Sequence, residues 1–262
     1  MQTRLIILGL GSMLFSVALQ AGIVDSKHNL TATGQSDVGA GTERLCVFCH
    51  TPHGGDTTAS APLWNKILPA STDFQTYDTL GTATLDGEVD LDNGGISLAC
   101  LSCHDGTAAL DLVRNAPTTG PGVYNYNASG QLIGTGVTML ALTGAEDNTV
   151  PVLGTDLRND HPVGIEYAGG GLSWADITGG NTVANAANDK LFFDPIWDAD
   201  ASRLWVGEVG GDGLPLYGSA TSSLAGPTVE CASCHDPHKT DYGTFLRKSN
   251  DSSALCRTCH VK

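Results

Sequence analysis

All eight cysteines of this 262-residue chain lie in C-x-x-C pairs, and a histidine follows each pair at once. The four copies read CVFCH, CLSCH, CASCH and CRTCH. We call them motifs 1 to 4, and they occupy residues 46–50, 100–104, 231–235 and 256–260. Four copies that use every cysteine are not an accident of composition. This pattern therefore constrains the fold more than any other feature of the chain.

The C-x-x-C-H pattern is the attachment signature of c-type haem. Two thiols three residues apart lie on one turn and can bond both haem vinyl groups, while the adjacent histidine is the proximal iron ligand. Zinc sites and thioredoxin-type redox pairs also use C-x-x-C, but neither repeatedly places histidine directly after the second cysteine. The pattern predicts four covalently bound haems. The predicted attachment residues are Cys46, Cys49, Cys100, Cys103, Cys231, Cys234, Cys256 and Cys259, and the predicted proximal ligands are His50, His104, His235 and His260.

The eight histidines divide evenly between these proximal positions and four others, which are His28, His53, His161 and His238. Of the three methionines, only Met139 lies outside the N-terminal region, so methionine cannot be the general distal ligand. Bis-histidine ligation of every iron is the simplest prediction. Because it leaves no iron with an open axial position, we expect no enzymatic activity.

Motifs 1 and 3 are extended to C-x-x-C-H-x-P-H, so that His53 and His238 each follow a proximal histidine by three residues. The two axial ligands of one iron approach from opposite faces of the macrocycle, and three residues cannot carry the chain around its rim. Each second histidine must therefore serve another haem nearby. The internal repeat suggests that His53 serves the haem of motif 2 and His238 that of motif 4. His28 and His161 then remain for motifs 1 and 3, in an order that stays open.

Residues 1–21 have the pattern of a signal peptide, with Arg4 before an apolar run and small residues at plausible cleavage points after Ala18 or Ala21. We expect an exported mature chain, extracellular or at the cell surface, or alternatively periplasmic, with no membrane span. The net charge is −15, with only 13 lysines and arginines. This charge argues against nucleic acid as a partner, because a phosphate binder needs a basic surface.

The predicted fold is a multihaem cytochrome c, one tetrahaem domain over 22–262, with haem pairs at 46–104 and 231–260. The cysteine-free interval 105–230 shows little helical periodicity and is rich in Gly, Asn and Thr. Within it, 203–218 predicts a β-hairpin that turns at Gly-Gly-Asp-Gly, and 123–134 is a weaker hairpin candidate. We therefore expect a mostly irregular chain wrapped around stacked haems, with short helices at the motifs.

The acidic stretch LDGEVDLDNGG, at 85–95, leaves a calcium site open. Its candidate ligands are Asp86, Glu88, Asp90 and Asp92. Their spacing does not match the EF-hand loop, so a solvated acidic loop is the simpler interpretation.

Several segments together carry a resemblance to a known group: KHNLTATG, CVFCHTPHG, APLWNK, CLSCHDGT, DHPVG, VECASCHDPH and FLRKSNDSSALCRTCH. They resemble the doubled C-x-x-C-H multihaem cytochromes, and within these the tetrahaem extracellular filaments of the outer-membrane cytochrome E type. The resemblance implies bis-histidine irons, a continuous haem chain and head-to-tail polymerisation into a nanowire that carries electrons to external acceptors or other redox proteins.

In such filaments one distal histidine can come from the neighbouring subunit. His28, on a short N-terminal arm, is the candidate for that donor. Two other functions remain open at this point: a monomeric periplasmic electron shuttle and a multihaem reductase.

Overall fold

The structure is a computed structural model, and it describes residues 22–31, 44–81, 87–92, 95–110, 112–115, 151–161, 163–170, 192–193, 195–200, 202–218, 224 and 226–260. The predicted signal peptide at 1–21, the hairpin candidate at 123–134 and Asp86 of the calcium prediction lie outside these residues. Within the described ranges, none of the helices combines the length and apolar character that a membrane crossing requires.

Helices are few and short, and they coincide with the motifs. In the described part of the chain they are α1 (Ile96–His104), α2 (Cys231–Cys234) and α3 (Ala254–Cys259). Motif 1 instead begins within a single 3₁₀ turn, Leu45–Phe48. Further 3₁₀ turns are Ser71–Asp73, Tyr77–Leu80, Leu157–Asn159, Tyr167–Gly170, Gly243–Phe245 and Asp251–Ser253. The prediction of a mostly irregular chain with short helices at the motifs is confirmed for these residues.

The described strands form two small antiparallel sheets. β1 (Ile165–Glu166) pairs with β5 (Thr228–Val229), while β2 (Ile196–Asp198), β3 (Arg203–Val206) and β4 (Leu214–Leu216) form the second sheet in that order. β3 and β4 pair with Leu204 opposite Leu216, which confirms the predicted hairpin at 203–218. Its turn requires glycine at Gly213, where an added Cβ would lie 1.8 Å from the carbonyl oxygen of Glu208.

A buried carboxyl joins the two helices that carry motifs 2 and 3. Glu230 is 1% exposed and caps α2, where its backbone N–H donates to Ser233 Oγ at 3.0 Å. Its side chain accepts from the hydroxyl groups of Thr228 and Ser97, and Ser97 is the second residue of α1. The Ser97 Oγ in turn accepts from the backbone N–H of Cys231 at 3.0 Å. This network pins the starts of two motif helices together although they lie far apart in sequence.

The hydrophobic core is divided into small clusters that lie behind the motifs. One cluster contains six buried residues, Phe74, Leu91, Leu98, Leu101, Leu157 and Val163, and packs against Cys231 of motif 3. A second contains Tyr167, Ala168, Leu204, Val206 and Leu216, and packs against Cys259 of motif 4. Two of the buried clusters therefore each pack against one motif cysteine.

Candidate haem-binding site

Each described motif folds into a turn that brings its cysteines and histidine to one side. The backbone N–H of His50 donates to the carbonyl of Cys46 at 2.8 Å, and the same bond closes motif 3 and motif 4 at 3.0 Å each. Motif 2 lies in the last turns of α1. Residues one helical turn apart share a face. The local geometry therefore fits haem attachment by two thioethers with the histidine facing the iron.

Three proximal histidines have their ring orientation set by a backbone carbonyl. The Nδ1 of His50 lies 2.7 Å from the oxygen of Pro62, that of His104 2.9 Å from Pro151, and that of His235 2.7 Å from Thr244. A carbonyl can only accept, so Nδ1 carries the proton in all three rings. The lone pair is then on Nε2, which is the arrangement that a metal-ligating histidine needs.

The histidine rings form three facing pairs. His50 lies 6.1 Å from His238 between ring centroids, His104 lies 6.2 Å from His28, and His235 lies 5.9 Å from His161. The expected separation follows from metal geometry: with a metal–imidazole distance of about 2 Å on each side, two rings that share one ion have centroids about 6 Å apart. Each pair joins one proximal histidine to one of the predicted distal histidines. The residues present therefore fit bis-histidine ligation at motifs 1, 2 and 3.

The pairing differs from the one that the internal repeat suggested. His238 faces the proximal histidine of motif 1 rather than motif 4, and His28 faces that of motif 2, where His53 was expected. The repeat-based prediction treated each half of the chain as self-contained. Instead the halves interlock: α1 packs on α2, and the N-terminal segment runs beside motif 3, where the Gly22 N–H donates to the His238 carbonyl at 3.0 Å.

Burial keeps several of these imidazoles neutral and available to a metal. Burial and then the neighbouring His104 lower the pKa of His28 to about 4. Burial also lowers the pKa of His104 and of His235. A protonated imidazole cannot ligate, so a lowered pKa favours the ligand form at neutral pH.

His238 is held by a carboxylate. Its Nδ1 lies 3.4 Å from Asp236 Oδ1, and Asp236 also pairs with Arg247 at 3.2 Å. The hydrogen bond to His238 is the main reason that the pKa of Asp236 falls to about 2. This carboxylate contacts Nδ1 of the His238 ring and leaves its Nε2 available, which is the nitrogen that would ligate an iron at motif 1.

Two histidines are left without a facing histidine ring among the described residues: His53 and His260. Both are exposed. His53 has its carbonyl fixed by Thr51 Oγ1 at 3.0 Å and by Asn115 Nδ2 at 3.1 Å, so its backbone is held while its ring is free of the core. The ring of His260 packs on Phe192 at 4.7 Å. The distal candidate His53 and the proximal histidine of motif 4 are thus the unmatched pair.

The thiols of successive motifs influence one another electrostatically. Burial and then the neighbouring Cys103 raise the pKa of Cys49 to about 12, which couples motif 1 to motif 2. A hydrogen bond between Cys100 and Cys231 joins motif 2 to motif 3. The thiols of motif 3 and motif 4 also influence each other electrostatically.

There, burial and then Cys256 raise the pKa of Cys234 to about 11, and burial and then Cys234 raise that of Cys259 to about 12. Each motif thus interacts with the next one in the sequence. Cys46 and Cys256, the first thiols of the two end motifs, are exposed.

Reasoning from sequence missed the residues that hold the ligands in place. Asp236 lies inside the CHDPH repeat and could have been found as a carboxylate beside two histidines. Asn65 follows Trp64 in APLWNK and is fully buried. Its Nδ2 donates to the carbonyl of Val47 at 2.6 Å and so holds the backbone of motif 1. Nothing in the local sequence marks Asn65 as a residue of this site.

The calcium prediction gains no support from the described residues. Asp92 Oδ2 accepts from Ser71 Oγ at 2.7 Å, and Asp90 Oδ1 accepts from the N–H of Asp92 at 2.8 Å. Within the described ranges no group of three or more His, Cys, Asp or Glu side chains is arranged to hold a metal ion on its own. Its fourth candidate ligand, Asp86, lies outside those ranges.

A family model described as the doubled CXXCH motif matches residues 226–262, which contain motifs 3 and 4. The CXXCH motifs indicate covalently bound c-type haem. Together, the match and the motif turns support a multihaem cytochrome that takes part in electron transfer. Among curated proteins, none matches the chain significantly.

Proposed function

We propose that the chain carries four c-type haems in one continuous row and conducts electrons along it as the subunit of an extracellular filament. Haem iron, when bound, supplies one-electron exchange between its ferric and ferrous forms. The chain's own residues would do the rest: the order of the motifs would set the order of the four groups, and the three histidine pairs would hold the first three from both sides.

The observation that carries the filament is the unmatched pair, His53 and His260. His53 follows motif 1 and His260 completes motif 4, so they would lie at opposite ends of the proposed row. Both are exposed. We propose that His53 of one subunit ligates the motif 4 iron of the next subunit opposite His260, which joins the haem rows of successive subunits. This replaces His28 as the donated histidine, because the His28 ring faces His104 of its own chain.

A head-to-tail junction of this kind is heterologous: the surface around motif 1 meets a different surface around motif 4. Heterologous contacts that do not close into a ring produce open helical filaments. Exposed apolar side chains support contact surfaces at both ends. Leu63, which is 53% exposed, lies beside motif 1, where its carbonyl accepts from Thr51 N–H; Phe193, which is 47% exposed, donates its N–H to the Cys259 carbonyl.

The location that suits this function is outside the cytoplasm, and we propose export by the signal-like residues 1–21, to the cell surface or beyond. We also propose that the protein is not an enzyme. One alternative has a specific observation in its favour: in a lone subunit, motif 4 has no facing histidine within the described residues, so its iron would have an open position. An isolated subunit with such a haem would suit a reductase or a shuttle.

Negative-stain microscopy of the secreted native protein tests the proposal. We expect thin filaments, and in the same sample low-spin haem that does not bind carbon monoxide after reduction. Discrete particles at high concentration, with a quarter of the haem binding carbon monoxide, would favour the reductase alternative instead. Discrete particles with every haem low-spin would favour the periplasmic shuttle.

A further inference from the structure

The 3₁₀ turn at Gly243–Phe245 touches the ligands of two different motifs. The ring of Phe245 stacks on the ring of His28, with centroids 4.3 Å apart and planes 7° from parallel. One residue earlier, the carbonyl of Thr244 accepts from Nδ1 of His235 at 2.7 Å. Adjacent residues of one turn therefore contact the distal histidine at motif 2 and the proximal histidine at motif 3.

The turn is rigidly attached to motif 3. The carbonyl of Phe245 accepts from the Asp236 N–H at 2.8 Å, and the N–H of Arg247 donates to the Cys234 carbonyl at 2.9 Å. Thr244 and Phe245 have φ values of +55° and +59°. Side chains other than glycine and asparagine rarely adopt this left-handed region, and they persist in it where surrounding contacts over-determine the backbone. The Phe245 ring is thus presented to His28 from a fixed position.

Of the three facing histidine pairs, the pair of His28 and His104 is the one whose ring planes are crossed. The plane of the His28 ring makes an angle of 70° with that of His104, whereas the planes in the other two pairs are 17° and 22° apart. Because Phe245 is within 7° of parallel to His28, a rotation of the His28 ring toward the plane of His104 would drive it into the phenyl face. The stacked ring accordingly resists that rotation.

We propose that Phe245 is a positioning residue that holds the axial histidines of motif 2 crossed, which makes the haem attached there electronically distinct from those at motifs 1 and 3. The physical basis is the iron d orbitals that interact with the imidazole π systems. When the two imidazole planes are parallel, both ligands interact with the same one of two iron d orbitals, and the energies of these two orbitals separate. When the planes are crossed, each ligand interacts with a different one, and the two orbital energies stay nearly equal. Ferric low-spin iron then gives a strongly anisotropic electron paramagnetic resonance signal in the crossed case and a rhombic one in the parallel case.

This inference rests on the proposed ligation of motif 2 by His28 and His104, but it does not depend on polymerisation. The test uses the full-length haem-loaded protein, with His53→Ala as the background so that the motif 4 haem is not an additional low-spin species. We expect one strongly anisotropic signal and rhombic signals from the remaining low-spin haems. His28→Ala in the same background should remove the anisotropic signal alone, which assigns it to motif 2.

Phe245→Leu keeps an apolar side chain but removes the flat face that stacks on His28. We expect the anisotropic signal to move toward the rhombic class while the signal of motif 3 stays in place, because the Thr244 carbonyl is unchanged. Phe245→Tyr keeps the stacked face and should keep the signal. A haem count of four per chain and unchanged carbon monoxide binding establish that the variants are folded and still ligated.

Two results would overturn the proposal. One is a Phe245→Leu protein with four haems and an unchanged anisotropic signal. The other is the absence of any strongly anisotropic signal in the starting protein, which needs no Phe245 variant to be folded. If His28→Ala leaves every low-spin signal intact, the ligation itself is wrong, and that outcome is separate from a failure of the Phe245 proposal.

Discussion

The ring of His50 lies 6.1 Å from the ring of His238, and the two planes are within 17° of parallel. The first is the proximal histidine of motif 1, and the second belongs to the CHDPH segment after motif 3. The two ends of the sequence are therefore folded over each other. The two rings that face each other at motif 1 therefore come from segments far apart in the sequence.

Replacement of His238 by alanine tests this pairing. We expect the iron at motif 1 to lose its distal ligand, to become high-spin and to bind carbon monoxide after reduction, while His161→Ala should do the same at motif 3. Visible absorption with and without carbon monoxide measures the fraction of haem affected. A His238→Ala protein whose haem remains fully low-spin would show that this facing pair does not hold iron.

The carboxylate of Asp236 should tune the haem at motif 1. By accepting from His238 it makes the imidazole a stronger electron donor, which favours ferric iron and lowers the reduction potential. Asp236→Asn weakens that hydrogen bond, so we predict a more positive potential at one haem in a spectroelectrochemical titration. Asp241→Asn, at an exposed position nearby, is the matched control and should leave all potentials in place. Equal titrations for the two variants would contradict the assignment.

Glu230 makes the stability of the fold depend on pH. Burial raises its pKa from 4.5 to about 8, against hydrogen bonds from Ser97 and Thr228 that lower it. The folded protein therefore holds a proton that the unfolded chain releases, and stability from this group is complete below about pH 4.5 and lost as the pH rises through about 8. Glutamine mimics the protonated form of Glu230. The Tm of Glu230→Gln should therefore fall less between pH 5 and pH 8 than the Tm of the native protein.

Thermal unfolding at a series of pH values measures that difference. Asp241→Asn serves again as the control, because its exposed side chain should leave the pH dependence of Tm as in the native protein. Parallel Tm curves for the native protein and Glu230→Gln would show that Glu230 is ionised in the folded state.

The turn of the β3–β4 hairpin allows a direct test of packing. A Cβ at Gly213 would lie 1.8 Å from the Glu208 carbonyl oxygen, so Gly213→Ala must displace backbone. We expect it to reduce the free energy of unfolding by about 1–3 kcal/mol, as overpacked sites do. Gly243→Ala is the control, since its Cβ meets nothing within 4 Å, and its effect should stay within about 0.5 kcal/mol. Equal losses in denaturant titrations of the two variants would contradict the close approach of Glu208 to Gly213.

The motifs could be predicted from sequence because their chemistry is local. Two cysteines and a histidine within five residues satisfy their geometry in one turn, and the i to i+4 bond from His50 to Cys46 closes it without help from the rest of the chain. The same holds for the hairpin at 203–218, where glycine and alternating apolar residues lie side by side in sequence. Local spacing also showed that one iron cannot take both His50 and His53, which agrees with the facing pairs.

The distal pairing could not be predicted, because it depends on how distant segments pack. His238 faces His50 and His28 faces His104 across long stretches of sequence, and α1 and α2 meet at Ser97 and Glu230. No periodicity or spacing reports such a contact. The role of Phe245 could not be predicted either. It depends on left-handed backbone at Thr244 and Phe245, a conformation that these residue types rarely adopt.

We propose that His53 of one subunit completes motif 4 of the next, and mixing two variants tests this junction. His53→Ala lacks the donor, and His260→Ala lacks the ligand that would hold the motif 4 iron in position for that donor, so each protein alone should remain a monomer. Each variant must first be shown to carry four haems per chain. In a mixture, the intact His53 of one variant can meet the intact His260 of the other at a single junction, and no second junction can form.

Sedimentation velocity of the 1:1 mixture is the decisive measurement. We predict discrete dimers in the mixture, monomers in each separate sample and filaments in the native protein. Filaments from either variant alone, or a mixture that stays monomeric although both variants carry all their haems, would contradict the claim.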